Sequence, residues 1–276
     1  MSRFTSLRRT SLGIATAALS VALVFAVIAL VVTAAPSSRA PLEAVFRIEG
    51  LGCKRKPTRT VGTVVSGPFA SSGQLVLTVA HGVVGQQTIE LVSGSVRVPA
   101  RLVAVDADWD LALLHAAVPL LKDDGTPVAG VRFSQARIGN ATFVVFEESS
   151  DTSRAAFGTS DAESVPPEIA VARPAFVSRR LRIRTEDIYL REVETRDARP
   201  GLEVQAMAFV GDSGGPMFDV NGEMVGLVWG TSRKSSGRSW ATRVQAAGSL
   251  IDTATVALAD NGNASFESLG LLACAP

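Results

Sequence analysis

The chain has 276 residues, 47% hydrophobic and 19% charged, with a formal net charge of +1. That balance supports a sizeable buried core and excludes an intrinsically disordered chain, which needs low hydrophobicity and high net charge. Two cysteines and two histidines exclude a disulfide-dense scaffold and offer no ligand cluster with zinc spacing, so no metal and no other cofactor is expected.

From Leu12 to Ala35 the chain runs 24 residues without a charge. At about 1.5 Å per residue such a helix exceeds the roughly 30 Å hydrocarbon core of a bilayer, so it is expected to span a membrane. A secretory signal has a shorter apolar core, about 7–15 residues, which favours an uncleaved signal-anchor. Val32-Thr33-Ala34 and Thr33-Ala34-Ala35 also suit a signal peptidase, and secretion after cleavage is the alternative. Arg3, Arg8 and Arg9 precede the segment; by the positive-inside rule they keep the N-terminus in the cytoplasm and send the rest across. Residues 1–40 are therefore read as a cytoplasmic stub, a transmembrane signal-anchor and a tether. They carry four arginines and no acid, so the remaining chain has a formal charge of −3, and nucleic acid is not expected as a partner.

Strand-like runs follow at Val45 to Ile48, Val61 to Val65, Leu75 to Val79, Ile89 to Val92, Arg97 to Val105 and Leu111 to Leu114. Lys122-Asp123-Asp124-Gly125-Thr126-Pro127 has the chemistry of a turn between two such groups. A second group comprises Ala141 to Phe146, Ala170 to Val177, Arg180 to Ile183, Ile188 to Val193, Met217-Phe218 with Met224 to Val228, and Ser239 to Val244. Asp219-Val220-Asn221-Gly222-Glu223 reads as a tight hairpin turn rather than a calcium loop, because Asn-Gly stands between two apolar strands. The alternation of arginines at 180, 182 and 184, like Lys54-Arg55-Lys56, reads as a solvated basic face. Val244, Ala247, Leu250, Ile251 and Leu258 recur at helical spacing and predict a helix over Gln245 to Ala259.

Chemistry concentrates in Gly211-Asp212-Ser213-Gly214-Gly215-Pro216, where a serine sits between glycines on a sharp turn. A serine hydroxyl is a weak nucleophile and needs a base and a group to orient that base. Thr78-Val79-Ala80-His81-Gly82 closes one apolar run, and Asp108-Trp109-Asp110-Leu111-Ala112-Leu113-Leu114 places a carboxylate at the mouth of another. Ser213, His81 and Asp110 are the candidate catalytic residues. Asp106 and Asp108 are rivals for the third role. His115, inside the strand after Asp110, reads as a core or barrel-surface histidine.

These three segments, in the order His, Asp, Ser, resemble the chymotrypsin/trypsin family of serine endopeptidases, of a bacterial, membrane-tethered or secreted type. The resemblance covers roughly residues 41 to 260. It implies an all-β fold of two six-stranded antiparallel β-barrels with a C-terminal helix, the first barrel over 41–121 with His81 and Asp110, the second over 122–276 with Ser213, the helix and a tail. It also implies hydrolysis of peptide or protein substrates. His81 would take the serine proton, Asp110 would hold the imidazole tautomer, and the N–H groups of Gly211 and Ser213 would form the oxyanion hole. The alternative is a non-catalytic domain of this type that binds or senses.

The resemblance carries over less at the substrate pocket. It places Met207, six residues before the serine, at the pocket base, and Val228, Trp229, Gly230 and Ser239 in its walls. A Met207 base lacks the carboxylate that would select Lys or Arg, so small or medium apolar residues are the expected preference. The match of Val228-Trp229-Gly230-Thr231 to the family's Ser-Trp-Gly strand needs a shift of one residue and leaves Val228 or Trp229 as the main-chain contact to substrate. No Ile-Val-Gly-Gly segment precedes the first barrel, so Asp212 is not expected to pair with an ammonium freed by activation cleavage; an arginine or backbone donors would satisfy it. Outside the cytoplasm, Cys53 and Cys274 are a possible disulfide. Sixty-three residues follow Ser213, too few for a PDZ domain after the barrel and its helix.

Overall fold

The computed structural model describes residues 40–52, 57–67, 73–148, 168–184 and 198–259. The signal-anchor at Leu12 to Ala35, the basic run at Lys54, the strand expected at Ile188 to Val193, and both Cys53 and Cys274 lie outside them. Among the described residues no helix is long and apolar enough to cross a membrane.

Among the described residues twelve strands close into two antiparallel barrels of six. The first comprises β1 (Val45–Leu51), β2 (Thr58–Val65), β3 (Gln74–Val79), β4 (Thr88–Ser93), β5 (Val96–Asp106) and β6 (Leu111–Ala116), hydrogen-bonded in the order β1-β2-β3-β6-β5-β4. A single helical turn, α1 (Ala80–Val83), follows β3. The second comprises β7 (Gly139–Glu148), β8 (Glu168–Ile183), β9 (Arg199–Gln205), β10 (Pro216–Phe218), β11 (Met224–Thr231) and β12 (Arg238–Arg243), in the order β10-β11-β12-β9-β8-β7. Closure leaves neither sheet with an unpaired edge. The chain ends its described part in a 3₁₀ turn (Val244–Ala247) and helix α2 (Gly248–Ala259).

Branched aliphatic side chains fill the first barrel: Ile48, Val61, Leu77, Leu91, Leu111, Leu113 and Leu114 are all buried. Each contributes about 1.5–3 kcal/mol by leaving water. Leu250 and Ala254 of α2 belong to this same cluster, so the C-terminal helix returns from the second barrel and packs on β5 of the first. Phe143, Leu202, Val204, Met217 and Val225 fill the second barrel.

The second barrel corrects two readings. Ala170 to Val177 and Arg180 to Ile183 are one strand, β8, joined through a register shift between Val177 and Arg179. Strand β9 was not legible, because Arg199-Pro200-Gly201 opens it with residues of low strand propensity and Glu203 interrupts its apolar run. Glu203 is nevertheless buried, with its carboxylate bonded to Ser178 Oγ and paired with Arg179 and Arg238. In the turn after β10, Asp219 Oδ1 accepts from the N–H groups of Asn221 and Glu223, so its carboxylate closes the hairpin, as the Asn-Gly signal implies.

Candidate active site

His81 lies in α1, directly after the buried strand β3, and Asp110 directly before β6, which pairs with β3. Register alone therefore brings the two together: Val79 faces Leu111 across the ladder. His81 Nδ1 is 2.9 Å from Asp110 Oδ2, and the His81 backbone N–H donates to Asp110 Oδ1 at 2.9 Å. A carboxylate on Nδ1 fixes the neutral tautomer with its proton there, which leaves Nε2 as the base. Asp110 has φ +57°, a left-handed conformation that aspartate tolerates better than most residues. Its carbonyl accepts from Ala80 N–H, which ties the strained turn to the segment carrying His81.

Of the rival carboxylates, Asp106 accepts from Trp109 N–H at 3.0 Å, and burial pushes its pKa up against that bond. Asp108 is partly exposed in the turn between them. His115 is buried in β6, paired with Leu75 and Arg101. Sequence reasoning missed Arg199. This residue opens β9, with its side chain 5% exposed and Nη1 3.5 Å from Asp110 Oδ2, and its guanidinium lies 4.6 Å over the Trp229 ring. Burial pulls its pKa below the usual arginine range, and the Asp110 and Asp106 charges oppose that shift.

Ser213 comes from the loop before β10. Its carbonyl accepts from Val61 N–H on β2, and the Val61 carbonyl accepts from Thr78 Oγ1, three residues before His81. The serine backbone is thereby tied to the strands that carry His81. In the same loop the N–H groups of Asp212, Gly214 and Gly215 donate to Phe209, Val228 and Asp212 carbonyls. Among the described residues the N–H groups of Gly211 and Ser213 donate to no protein acceptor.

Gly214 has φ +84°, and a Cβ there would lie 2.0 Å from the Val61 carbonyl oxygen. Gly214→Ala is expected to lose more than about 3 kcal/mol of stability, from backbone strain plus a clash that β2 cannot relieve; denaturant unfolding of the purified variant measures it.

Asp212 is buried, which raises its pKa, and its Oδ2 accepts from Phe209 N–H at 2.8 Å, so a backbone donor satisfies it. An arginine serves the neighbouring carbonyl: Arg47 of β1 donates from Nη1 to Gly211 O at 2.8 Å and from Nε to Glu168 Oε2 at 2.7 Å, its guanidinium 4.7 Å over Phe146.

The residues expected to form the pocket differ in exposure. Met207 is 53% exposed, because β9 ends at Gln205 and the chain continues as a surface loop. Ser239 is fully buried and its hydroxyl donates to Ala206 O. Val228 is 1% exposed and its N–H and C=O are bonded to Gly215 and Gly214, which leaves Trp229 as the candidate main-chain contact. The pairing of β11 with β12 shifts between Val228 and Gly230, so Trp229 is the extra residue of a β-bulge. Gly230, its neighbour, pairs with Trp240 and has open space where a Cβ would be.

Among curated proteins none matches the chain. Of the solved structures, the active form of the Rv3671c protease from M. tuberculosis superposes with a TM-score of 0.58 at 22% identity, covering 77% of this chain and 81% of that one. A serine endoprotease from Yersinia pestis has a TM-score of 0.53 at 17% identity, over 79% of this chain and 65% of its own. The HtrA-type protease AlgW with tripeptide has 0.54 at 18%, over 82% and 63%. At these identities the likeness is one of fold. The family model for the trypsin-like peptidase domain matches residues 62–227, a stretch that runs from β2 to β11 and takes in His81, Asp110 and Ser213. The chain accordingly belongs to the trypsin-like peptidase domain family and is a serine endopeptidase.

Proposed function

We propose that peptide bonds are cleaved by Ser213, His81 and Asp110 through an acyl-enzyme. The observation that carries this reading lies in residues 211–215: the N–H groups of Gly211 and Ser213, the two that an oxyanion needs, have no protein acceptor among the described residues, while those of Asp212, Gly214 and Gly215 are bonded. Ser213 Oγ attacks the scissile carbonyl while His81 Nε2 takes its proton. The carbonyl oxygen becomes an anion held by the two N–H groups, each worth roughly 3–4 kcal/mol in the transition state. The imidazolium, opposite Asp110, gives its proton to the departing amine and leaves a Ser213 ester. Water, deprotonated by His81, attacks the ester and releases the acid, restoring the hydroxyl. Covalent labelling by a fluorophosphonate tests the reading without knowledge of the substrate. An unlabelled, folded wild-type protein would instead favour a binding or sensing domain.

The trypsin-like peptidase domain supports peptide or protein substrates. Trp229, at the bulge, provides the main-chain contact, and cleavage follows small or medium apolar residues. Because Met207 is half exposed, a carboxylate placed there is screened by water: Met207→Asp is expected to raise Lys/Arg cleavage by less than about tenfold, read from a peptide library. Strong arginine preference in the wild type would require a carboxylate from another strand.

The catalytic domain works outside the cytoplasm, tethered by Leu12 to Ala35; the charge-free length of that segment and the arginines before it support this. The protein is expected to fractionate with membranes and be shaved by external protease, with Cys53 and Cys274 alkylated only after reduction. A soluble mature form starting near Ala35 would show cleavage and secretion.

A further inference from the structure

We propose that Arg199 is a positioning residue of the proteolytic site: its buried guanidinium, stacked on Trp229, holds the Asp110 carboxylate against His81 Nδ1. The proposal rests on the reading of Asp110 as the third member of the triad.

The geometry is specific. Asp110 Oδ1 is fixed by the His81 backbone N–H, and Oδ2 lies between His81 Nδ1 at 2.9 Å and Arg199 Nη1 at 3.5 Å. Side-chain exposure is 2% for Asp110 and 5% for Arg199, so neither charge is compensated by bulk water. A buried ion pair is weak evidence for a purely stabilising role, since well-packed apolar residues of the same volume often serve as well or better. Asp110 has a reason to retain a countercharge: the His81–Asp110 contact works only if the carboxylate keeps its orientation while the imidazole cycles between neutral and charged.

The guanidinium is itself aimed. Its backbone is held in the β8 ladder, where Arg199 pairs with Ile183, and its guanidinium lies 4.6 Å over the ring of Trp229, the bulge residue of β11. Asp106 also attracts it. The residue offered as substrate contact and the triad carboxylate are thus joined through one planar side chain.

Two effects of Arg199 oppose each other in catalysis. Its positive charge works against the imidazolium beyond Asp110, whereas its contact keeps Asp110 in place. A misplaced catalytic group costs about 10²-fold; on that scale the contact is expected to outweigh the repulsion, and loss of Arg199 lowers activity.

The test is a double-mutant cycle on the purified full chain, with kcat and KM measured for Arg199→Met, Arg199→Lys, Asp110→Asn and the two combinations, and thermal unfolding recorded for each. Arg199→Met is expected to lower kcat about 10²-fold, the cost of a misplaced catalytic group, with KM within about threefold. Arg199→Lys keeps the charge without the planar stack and is expected to recover about tenfold of that loss. In the Asp110→Asn background both Arg199 changes are expected to alter kcat less than about twofold, because the group they act through is gone. If Arg199→Met does not fold, the lysine variant carries the same cycle. Losses that add fully in the Asp110→Asn background, or that fall on KM alone, overturn the proposal and leave the triad standing. An Asp110→Asn single variant within about tenfold of wild type overturns the triad reading itself.

Discussion

Ser213→Ala and His81→Ala are each expected to lower kcat by about 10⁶-fold, and the double variant no further, because nucleophile and base act as one unit. Asp110→Asn is expected to lose about 10⁴-fold, since an amide on Nδ1 favours the wrong tautomer, while Asp108→Asn stays near wild type. Peptide hydrolysis and fluorophosphonate labelling read these losses. The bond between His81 Nδ1 and Asp110 Oδ2 is the reason for separating the two aspartates. A larger loss for Asp108→Asn would move the third role to that residue, and hydrolysis surviving at wild-type rate in Ser213→Ala would remove the serine from the reaction.

Arg47→Met is expected to destabilise the protein by about 3 kcal/mol, the lower end for breaking a buried pair, which corresponds to about 10 °C in Tm. Arg47 rises from the first barrel with its side chain 6% exposed, yet its three contacts belong to the second: Glu168 of β8, the Phe146 ring of β7 and the Gly211 carbonyl. Removing it leaves Glu168 with Arg59, 3.9 Å away and half exposed, and leaves Gly211 O without that donor. Because Gly211 carries one of the two oxyanion donors, kcat is expected to fall by about 10²-fold with KM little changed. Arg47→Lys can reach one acceptor at a time and is expected to fall between the two. Unfolding midpoints and steady-state kinetics check both parts; a stable variant with normal kcat would show that the serine loop holds its shape without the cross-barrel contact.

The first barrel was legible because its strands are short, aliphatic and separated by turn residues, so that period and punctuation agree. Ser213 and His81 stood out for a related reason: glycines and a strand-ending histidine are local features, readable in six residues. Choosing Asp110 over Asp106 and Asp108 depended on resemblance in the sequence; in the fold it depends on the β3–β6 register, which sets Asp110 beside His81. Strand β9 escaped notice because Pro200 and Gly201 weaken its pattern, and Arg199 escaped with it. Nothing local distinguishes that arginine from an exposed one.

By itself, the sequence determined most of the strands, the C-terminal helix and the glycine-framed serine loop, since each rests on periodicity or on a short motif; the grouping of the strands into two barrels came from the resemblance those motifs carry. The tertiary structure alone decided which charges are buried together. Arg47 and Gly211 are 164 residues apart, and Arg199 approaches Asp110 from the other barrel. It likewise exposed Met207 and buried Ser239, because the point where β9 ends and the bulge at Trp229 set which side chains face the solvent. Burial and countercharge are properties of packing across many strands, and a one-dimensional pattern carries no record of which strands meet.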